Sequence, residues 1–169
     1  PSISLECPEA ATVEADAMCE ASTLPEITGE PTFEASDNCG GPVDVALSHT
    51  DHDTIPGCGN TYSFTRTWTA LATDDCGNTA STSCSQTITL VDLLSPDWGS
   101  ALIYTYAACH DLLDPTDPTL VPIEATDNCS EVTYTITAMG LSGGCPGTWE
   151  RIWTATDACG NSSSFTQYV

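Results

Sequence analysis

Ten cysteines are the residues of this sequence with the most evident chemistry. No two of them are spaced as Cys-x-x-Cys, the spacing from which zinc and iron–sulfur sites usually draw their thiolates. We therefore expect disulfides rather than a metal framework, and structural disulfides persist only in oxidising compartments. The sequence predicts a protein that is secreted and extracellular, or exposed at a cell surface.

Acidic residues are the second set with possible chemistry. The chain has 24 Asp and Glu but only 2 Lys and Arg, a formal net charge of −22, so it would repel a phosphate backbone and nucleic acid is excluded as a partner. Carboxylates on neighbouring loops can instead bind a hard cation, which leaves Ca²⁺ as the one possible cofactor. The alternative is that these aspartates only cap their own turns. The candidates lie beside cysteine motifs: Asp37, Asp74, Asp75, Asp127 and Asp157.

Catalytic constellations are not found in the sequence. The string at 140–144 matches Gly-x-Ser-x-Gly, but no histidine follows His110 to act as a base, so we interpret it as a Gly-rich turn. His49 and His52 alternate with aspartates and are interpreted as a solvated loop rather than a metal site. No pair of acids is singled out for glycoside hydrolysis. We expect that the chain is not an enzyme.

The sequence has candidate sites for attaching sugars and for binding them. Asn128 and Asn161 each begin an Asn-x-Ser sequon in a predicted loop, and N-glycosylation is expected first at Asn161. A carbohydrate-binding role would instead need an exposed aromatic platform. The candidates for that platform are Trp98, Tyr104 and Tyr106.

An internal repeat positions these residues. The triplet at 37–39, Asp-Asn-Cys, recurs at 127–129. Trp-Thr-Ala followed by Cys-Gly-Asn occurs at 68–78 and again at 153–161. Two homologous units of about 80 to 95 residues follow, close to the ~100 residues of an immunoglobulin-type sandwich. We predict a first domain over residues 1–94 and a second over 95–169.

Within each unit the periodicity is that of strands. Large side chains alternate with serine and threonine from Tyr62 to Ala70, and a period of two also appears in 43–47, 132–138 and 149–155. Helical periodicity is absent. The predicted fold class is all-β: two tandem immunoglobulin-like antiparallel β-sandwiches, stapled by disulfides.

The two arginines occupy equivalent positions in this pattern. Arg66 lies two residues before Trp68, and Arg151 two before Trp153, so each pair shares one face of its strand. We expect each guanidinium to stack on the indole and to pair with an acidic neighbour, which is a structural role.

The repeat also bears on the disulfide pairing. The second unit lacks counterparts of Cys7 and Cys84, so if bridges are kept or lost in pairs, these two form one bridge. The four remaining cysteines of each unit allow three pairings, and another choice among them would leave the fold prediction intact. We take the cysteines of the two repeated motifs as partners, which predicts Cys39–Cys76, Cys129–Cys159, Cys19–Cys58 and Cys109–Cys145.

The order of motifs resembles a known family. Each unit has Asp-Asn-Cys, then an Arg-x-Trp-Thr-Ala strand (Arg-Ile-Trp-Thr-Ala in the second), then a turn with Cys-Gly-Asn; the first continues into Gln-Thr-Ile-Thr-Leu-Val-Asp before a proline. This resembles the hyalin (HYR) repeat and related immunoglobulin-like repeats of large surface proteins, including adhesion proteins of Bacteroidetes and algal surface proteins. The resemblance implies an extracellular spacer, adhesin or fibre component without catalytic residues. The second unit stops at Tyr168-Val169, so its last strand is either cut or completed by a neighbour.

These observations predict a structural component of an extracellular filament or of a surface stalk, with head-to-tail assembly of copies as one option. The partners would be the chain itself, neighbouring repeats or glycans. No apolar run reaches the ~20 residues that span a bilayer, so membrane insertion is not expected. The alternative is a carbohydrate- or calcium-binding accessory module of a larger secreted protein.

Overall fold

The computed structural model describes residues 1–100, 124–142 and 147–168. Over this part the chain is all-β apart from one helical turn, and none of its helices is long and apolar enough to cross a membrane. The elements in chain order are β1 (Ser2–Glu6), β2 (Ala11–Glu14), α1 (Pro25–Thr28), β3 (Thr32–Ser36), β4 (Val43–Pro56), β5 (Tyr62–Asp74), β6 (Thr79–Val91), β7 (Thr133–Ser142), β8 (Thr148–Thr156) and β9 (Ser162–Tyr168).

The chain forms two compact units, and their boundaries do not follow the sequence repeat. Unit 1 contains Pro1–Asp16 and Glu20–Val91, whereas unit 2 contains Ala17–Cys19 and Asp92–Val169. The second unit therefore begins at Asp92 and not at residue 95. The segment Ala17–Cys19 belongs to the first repeat by sequence but to unit 2 by its contacts.

Unit 1 is a two-layer sandwich. Strands β1 and β3 form one sheet, and the other has the order β2-β6-β5-β4. Strand β1 contacts both β5 and β6, so the two sheets pack face to face. The pairing is antiparallel as predicted, except that β2 runs parallel to the end of β6, where Val13 lies opposite Leu90.

The predicted alternation produces the core of unit 1. In β5 the even-numbered side chains from Phe64 to Ala72 are buried, whereas the threonines and Leu71 between them are partly or fully exposed. Ile88 and Leu90 of β6 are buried as well. Burying each large apolar side chain contributes about 1.5–3 kcal/mol, which is why the period of two selects this register.

Unit 2 has a sheet in the order β7-β8-β9, with Trp153 of β8 at its centre. Trp98, Ile136 and Phe165 pack against this indole. Trp98 is therefore part of a core cluster, with ring centroids 5.7 Å from Phe165 and 5.9 Å from Tyr134. The prediction of an exposed platform at Trp98 is wrong because the ring is used for packing, and the other two platform candidates lie outside the described residues.

Two predicted loops are strands. His49 and His52 lie in β4, where His49 packs against Trp68 at 4.9 Å and His52 bonds the Asp53 carboxylate and the Thr67 hydroxyl at 2.7 Å each. The contacts with Trp68 and Thr67 of β5 hold the segment as a strand, although its side chains are exposed. Likewise, residues 140–142 of the predicted Gly-rich turn belong to β7, next to a register shift.

The Cys7–Cys84 disulfide is confirmed. Cys84 lies in β6 and Cys7 follows β1, so this bridge joins a strand of each sheet of unit 1. The bridge spans 77 residues, and by restricting the unfolded chain over that distance it stabilises unit 1 by about 4 kcal/mol.

The other described pairings differ from the prediction. Cys19 is bonded to Cys129, which makes both Cys19–Cys58 and Cys129–Cys159 wrong. The reason is that the Cys19 segment belongs to unit 2, whereas the prediction assumed that every bridge stays within one repeat. Cys58 and Cys159 are also disulfide-bonded. The predicted Cys109–Cys145 bridge lies outside the described residues.

Cys39 and Cys76 are exposed free thiols, so the predicted bridge between them is absent. The turns that carry them are connected by a different group, the amino terminus. The Pro1 nitrogen lies 3.3 Å from Asp37 Oδ1 and 3.9 Å from Asp74 Oδ2.

Candidate site at the aspartate turns

The hairpin turn between β5 and β6 is built by the side chain of Asp74. Its Oδ1 accepts the backbone N–H groups of Cys76 at 2.9 Å and Asn78 at 2.8 Å, and its Oδ2 accepts the Asn78 side-chain amide at 2.8 Å. The hydrogen bond from the Asn78 side chain holds the pKa of Asp74 below its ordinary value. Gly77 completes the turn at a φ of 84°, a conformation that favours glycine.

The turn between β8 and β9 repeats this arrangement in unit 2. Asp157 Oδ1 accepts the N–H groups of Cys159 and Asn161 at 2.8 Å each, Oδ2 accepts the Asn161 amide at 2.8 Å, and Gly160 has a φ of 90°. The turn-capping role weighed from the sequence is thus present in both units. Capping leaves lone pairs on the carboxylates, so it does not exclude a cation.

The Asp-Asn-Cys motif forms a second capped turn in each unit. Asp37 Oδ2 accepts the Cys39 N–H at 2.9 Å, and Asp127 Oδ2 accepts the Cys129 N–H at 3.0 Å. In unit 2 the two turns are linked, because the Ser130 hydroxyl accepts the N–H of Ala158 at 2.9 Å.

The structure brings the predicted aspartates together in two separate groups. In unit 1, Asp37 and Asp74 share the amino group of Pro1, and Asp75 is exposed beside them. In unit 2, Asp127 and Asp157 are joined by an aspartate that the sequence analysis did not select, Asp92. Asp92 ends the Leu-Val-Asp that closes the first repeat, and no local motif marks it as a partner of the two turns.

Asp92 completes a cluster of three carboxylates. One oxygen from each of Asp92, Asp127 and Asp157 lies within 4.8 Å of the other two. Asp92 is 4% exposed and Asp157 is 6% exposed, so the cluster is shielded from solvent. Such a set of oxygen donors suits a hard cation.

The sequons lie at the same turns. Asn161 Nδ2 donates to Asp157 Oδ2 at 2.8 Å and to the main-chain oxygen of Asp92 at 3.1 Å, so both of its amide hydrogens are used. A glycan on this nitrogen would replace one of these hydrogens. Asn128 Nδ2 is 3.2 Å from Cys129 Sγ. N-glycosylation at the two sites stays a prediction.

Arg66 has the structural role expected from the sequence. Its guanidinium lies 5.9 Å from the Trp68 ring and bonds both oxygens of Asp51 at 2.8 Å. It also donates to the Thr23 carbonyl at 2.9 Å and the Thr28 hydroxyl at 3.0 Å. The hydrogen bond from Arg66 holds the pKa of Asp51 below its ordinary value, although partial burial opposes the shift.

The same strand position is buried in unit 2. Arg151 is fully buried in β8, two residues before Trp153. The indole N–H of Trp153 donates to Gln167 Oε1 at 3.0 Å, and Trp68 in unit 1 makes the equivalent contact with Gln86 at 3.5 Å. Arg66 therefore belongs to a polar network of unit 1, and Arg151 occupies the equivalent buried strand position in unit 2.

Comparisons with known proteins give fold-level likenesses. No protein-family model matches the chain, and no curated protein matches it. A Drosophila N-cadherin structure covering EC1-4 aligns with 100% of this chain at 14% identity and a TM-score of 0.45; the chain spans about half of that structure, 49%. Human mucin-like protocadherin EC1-2 aligns with 99% of the chain, over 96% of its own length, at 13% identity and a TM-score of 0.40.

Proposed function

We propose that the chain is a structural, non-enzymatic unit of an extracellular filament or stalk, in which disulfides join each repeat to the one before it. The observation that supports this is a difference between equivalent cysteines. In unit 2, Cys129 and Cys159 are both in disulfides, whereas their counterparts in unit 1, Cys39 and Cys76, are exposed thiols.

We take the Cys19–Cys129 bridge as the pattern for this joint. It attaches a segment from the sequence of the first repeat to the Asp-Asn-Cys turn of the second. Unit 1 has the same turn, held by the same aspartate-to-amide hydrogen bond, with Cys39 accessible. A preceding repeat could therefore bond to Cys39 as Cys19 bonds to Cys129. In a head-to-tail array the preceding repeat belongs to a second copy of this chain, and the free thiol that the described part of that copy offers is Cys76.

The chemistry of the joint is an oxidation. Two thiols lose two protons and two electrons and form one S–S bond, and the electrons pass to the disulfide of an exchange catalyst or of a small thiol in the oxidising compartment. Exposed thiols are accessible to such exchange, whereas buried ones are not. This joint needs no strand exchange through β1, which is already paired with β3.

The alternative function, a carbohydrate- or calcium-binding module, has uneven support. Trp98 packs against Trp153 in unit 2, so the one platform candidate that lies within the described residues is not available to bind a carbohydrate. The three-aspartate cluster of unit 2 supports cation binding. We place the cation within the structural role, as a stabilising component of the unit, rather than as a separate activity.

The test is disulfide mapping of the native material. After free thiols are alkylated, a gel without reductant should show a ladder in steps of 17.7 kDa that collapses on reduction, with Cys39 peptides cross-linked to another copy. The C39S/C76S double variant should abolish the ladder. The C19S/C129S variant, which keeps Cys39 and Cys76, should retain it.

Two other outcomes are informative. A peptide in which Cys39 is linked to Cys76 of the same chain, together with a monomeric band, would contradict the joint. A Cys39 cross-link to an earlier repeat of one longer polypeptide would keep the joint and replace self-assembly with tandem repeats. Negative-stain electron microscopy of the same sample then shows whether the ladder corresponds to regular filaments.

A further inference from the structure

Three aspartates of unit 2 concentrate negative charge where water has little access. One carboxylate oxygen from each of Asp92, Asp127 and Asp157 lies within 4.8 Å of the others, and two of the residues are more than nine-tenths buried. Like charges this close, in a poorly solvated place, repel strongly unless a positive charge lies among them.

Two of the carboxylates each have one oxygen that accepts no hydrogen bond. Within the described part of the chain, Asp92 Oδ2 and Asp127 Oδ1 are buried and have no hydrogen-bond partner. Their other oxygens are held, because Asp92 Oδ1 accepts the Leu94 N–H at 3.1 Å and Asp127 Oδ2 accepts the N–H groups of Cys129 and Ser130. Each side chain is thus oriented by backbone amides through one oxygen, and its second oxygen is left for a ligand.

The chain's own cationic side chains do not balance this charge. Its only two are Arg66 and Arg151, since the sequence has no lysine. Arg66 belongs to unit 1 and is bonded to Asp51. Arg151 lies in β8, and Asp157 follows the end of that strand six residues later. Six residues of extended chain correspond to roughly 20 Å between the two backbones.

We infer that Asp92, Asp127 and Asp157 bind a divalent cation, and that the cation is calcium. Carboxylate oxygens that lie within 4.8 Å of one another can share one ion. Calcium is favoured because it takes about six to eight oxygen ligands in a flexible geometry, whereas Mg²⁺ demands a near-ideal octahedron and keeps several of its waters. Water and carbonyl oxygens complete the coordination, and a dissociation constant on the order of 10⁻⁴–10⁻³ M is expected, as in extracellular calcium modules.

Bound calcium would attach the first residue after β6 to both capped turns of unit 2. Asp92 already accepts a hydrogen bond from Asn161 through its main-chain oxygen. The ion adds a second connection through the side chain. Calcium therefore stabilises unit 2 and not unit 1. This inference is independent of the disulfide joint, because it uses none of the residues that form that joint.

Isothermal titration calorimetry of the intact, oxidised chain tests the inference. Titration with CaCl₂ should show one site in unit 2, and titration with MgCl₂ should show weaker binding. Asp92→Asn should lower calcium affinity about tenfold or more. Glu131→Gln is the matched control, because it removes the same charge from an exposed side chain of unit 2 and should leave the affinity unchanged. The C39S/C76S variant should also bind calcium normally, which separates this test from that of assembly.

Thermal unfolding gives a readout that a purely structural aspartate would not produce. In a chelator, Asp92→Asn should unfold at a higher temperature than the unaltered chain, because one of three repelling charges is removed while the amide oxygen still accepts the Leu94 N–H. In about 10 mM calcium the order should reverse, since the unaltered chain gains roughly 5 °C. The absence of binding heat together with identical melting with and without calcium would overturn the inference, and equal affinity for Mg²⁺ would overturn its assignment to calcium.

Discussion

The two units contain the same pair of aspartate turns, yet a different third group completes each pair. In unit 1 the third group is the amino terminus of Pro1, and in unit 2 it is the carboxylate of Asp92. The hydrogen bonds inside the turns agree to about 0.1 Å because they depend only on residues within the motif. The charge of the group between the two turns comes from a residue outside the motifs, and it is positive in unit 1 and negative in unit 2.

The cysteines of these turns differ in the same way. Cys129 is bonded to a segment that comes from the other repeat, whereas Cys39 is a thiol. The two repeats thus share the hydrogen bonds within each turn, but the disulfide bonding of the turn cysteine differs between them. The two units therefore differ at the positions where a group from outside the turn takes part.

The largest effect should come from removing one disulfide from each unit. C7S/C84S should destabilise unit 1, and C19S/C129S unit 2, each by about 4–5 kcal/mol, since the bridges span 77 and 110 residues. Differential scanning calorimetry should show a different transition moving in each variant. If both variants shifted the same transition, the assignment of the Cys19 segment to unit 2 would be wrong.

Arg66→Met should have the next largest effect, about 3 kcal/mol on unit 1, because it leaves Asp51 and two further acceptors without their donor. Denaturant unfolding at pH 7 measures this loss. Asp53→Asn, on the same strand but exposed, is the control and should have little effect.

The same pair makes unit 1 sensitive to acid. The folded-state pKa of Asp51 is lowered, so its contribution to stability is fully present above the ordinary value of 3.8 and is lost as pH falls through the lower folded value. Denaturant unfolding between pH 5 and pH 2 should show this loss in the unaltered chain. The loss should be reduced in Arg66→Met, and an unchanged pH profile would contradict the role of the pair.

Gly77→Ala and Gly160→Ala should have equal effects, about 1 kcal/mol each. Both residues have positive φ, and a Cβ at either position meets no atom within 4 Å, so the cost is conformational and local. Unfolding of the two variants compares the turns directly. Unequal losses measured in a chelator would show that the turns are not equivalent.

Asn78→Ala should give the smallest effect, a rise in the pKa of Asp74 towards its ordinary value, because the side-chain hydrogen bond that lowers it is lost. An NMR titration of this carboxyl group measures the change. Asn38→Ala, in the neighbouring turn, should leave the pKa of Asp74 lowered.

Sequence patterns predicted the features that depend on neighbours in the chain. Alternation identified β5 and its buried face, the spacing of Arg66 and Trp68 gave their stacking, and comparison of the repeats gave Cys7–Cys84. Two of the three aspartates in the unit 2 cluster were selected from the sequence, because Asp127 and Asp157 belong to turn motifs and Asp92 does not. Its role depends on contacts across 35 and 65 residues of sequence, which no local pattern records.

The Cys19–Cys129 bridge was missed for a related reason. Spacing shows which cysteines are equivalent, but it does not show into which unit a connecting segment packs. Residues 17–19 are too few to carry a periodicity of their own, so nothing in their sequence separates them from the rest of the first repeat.

The displacement of Ala17–Cys19 into unit 2 has a consequence for how such a chain can be rearranged by duplication or recombination. A genetic exchange at the boundary of the sequence repeat would cut through a folding unit, since a fragment beginning at residue 95 lacks Asp92 and leaves Cys129 without its partner. A newly acquired repeat would have to follow a neighbour that carries a segment like 17–19. Selection would then act on the order of the repeats as well as on their individual sequences.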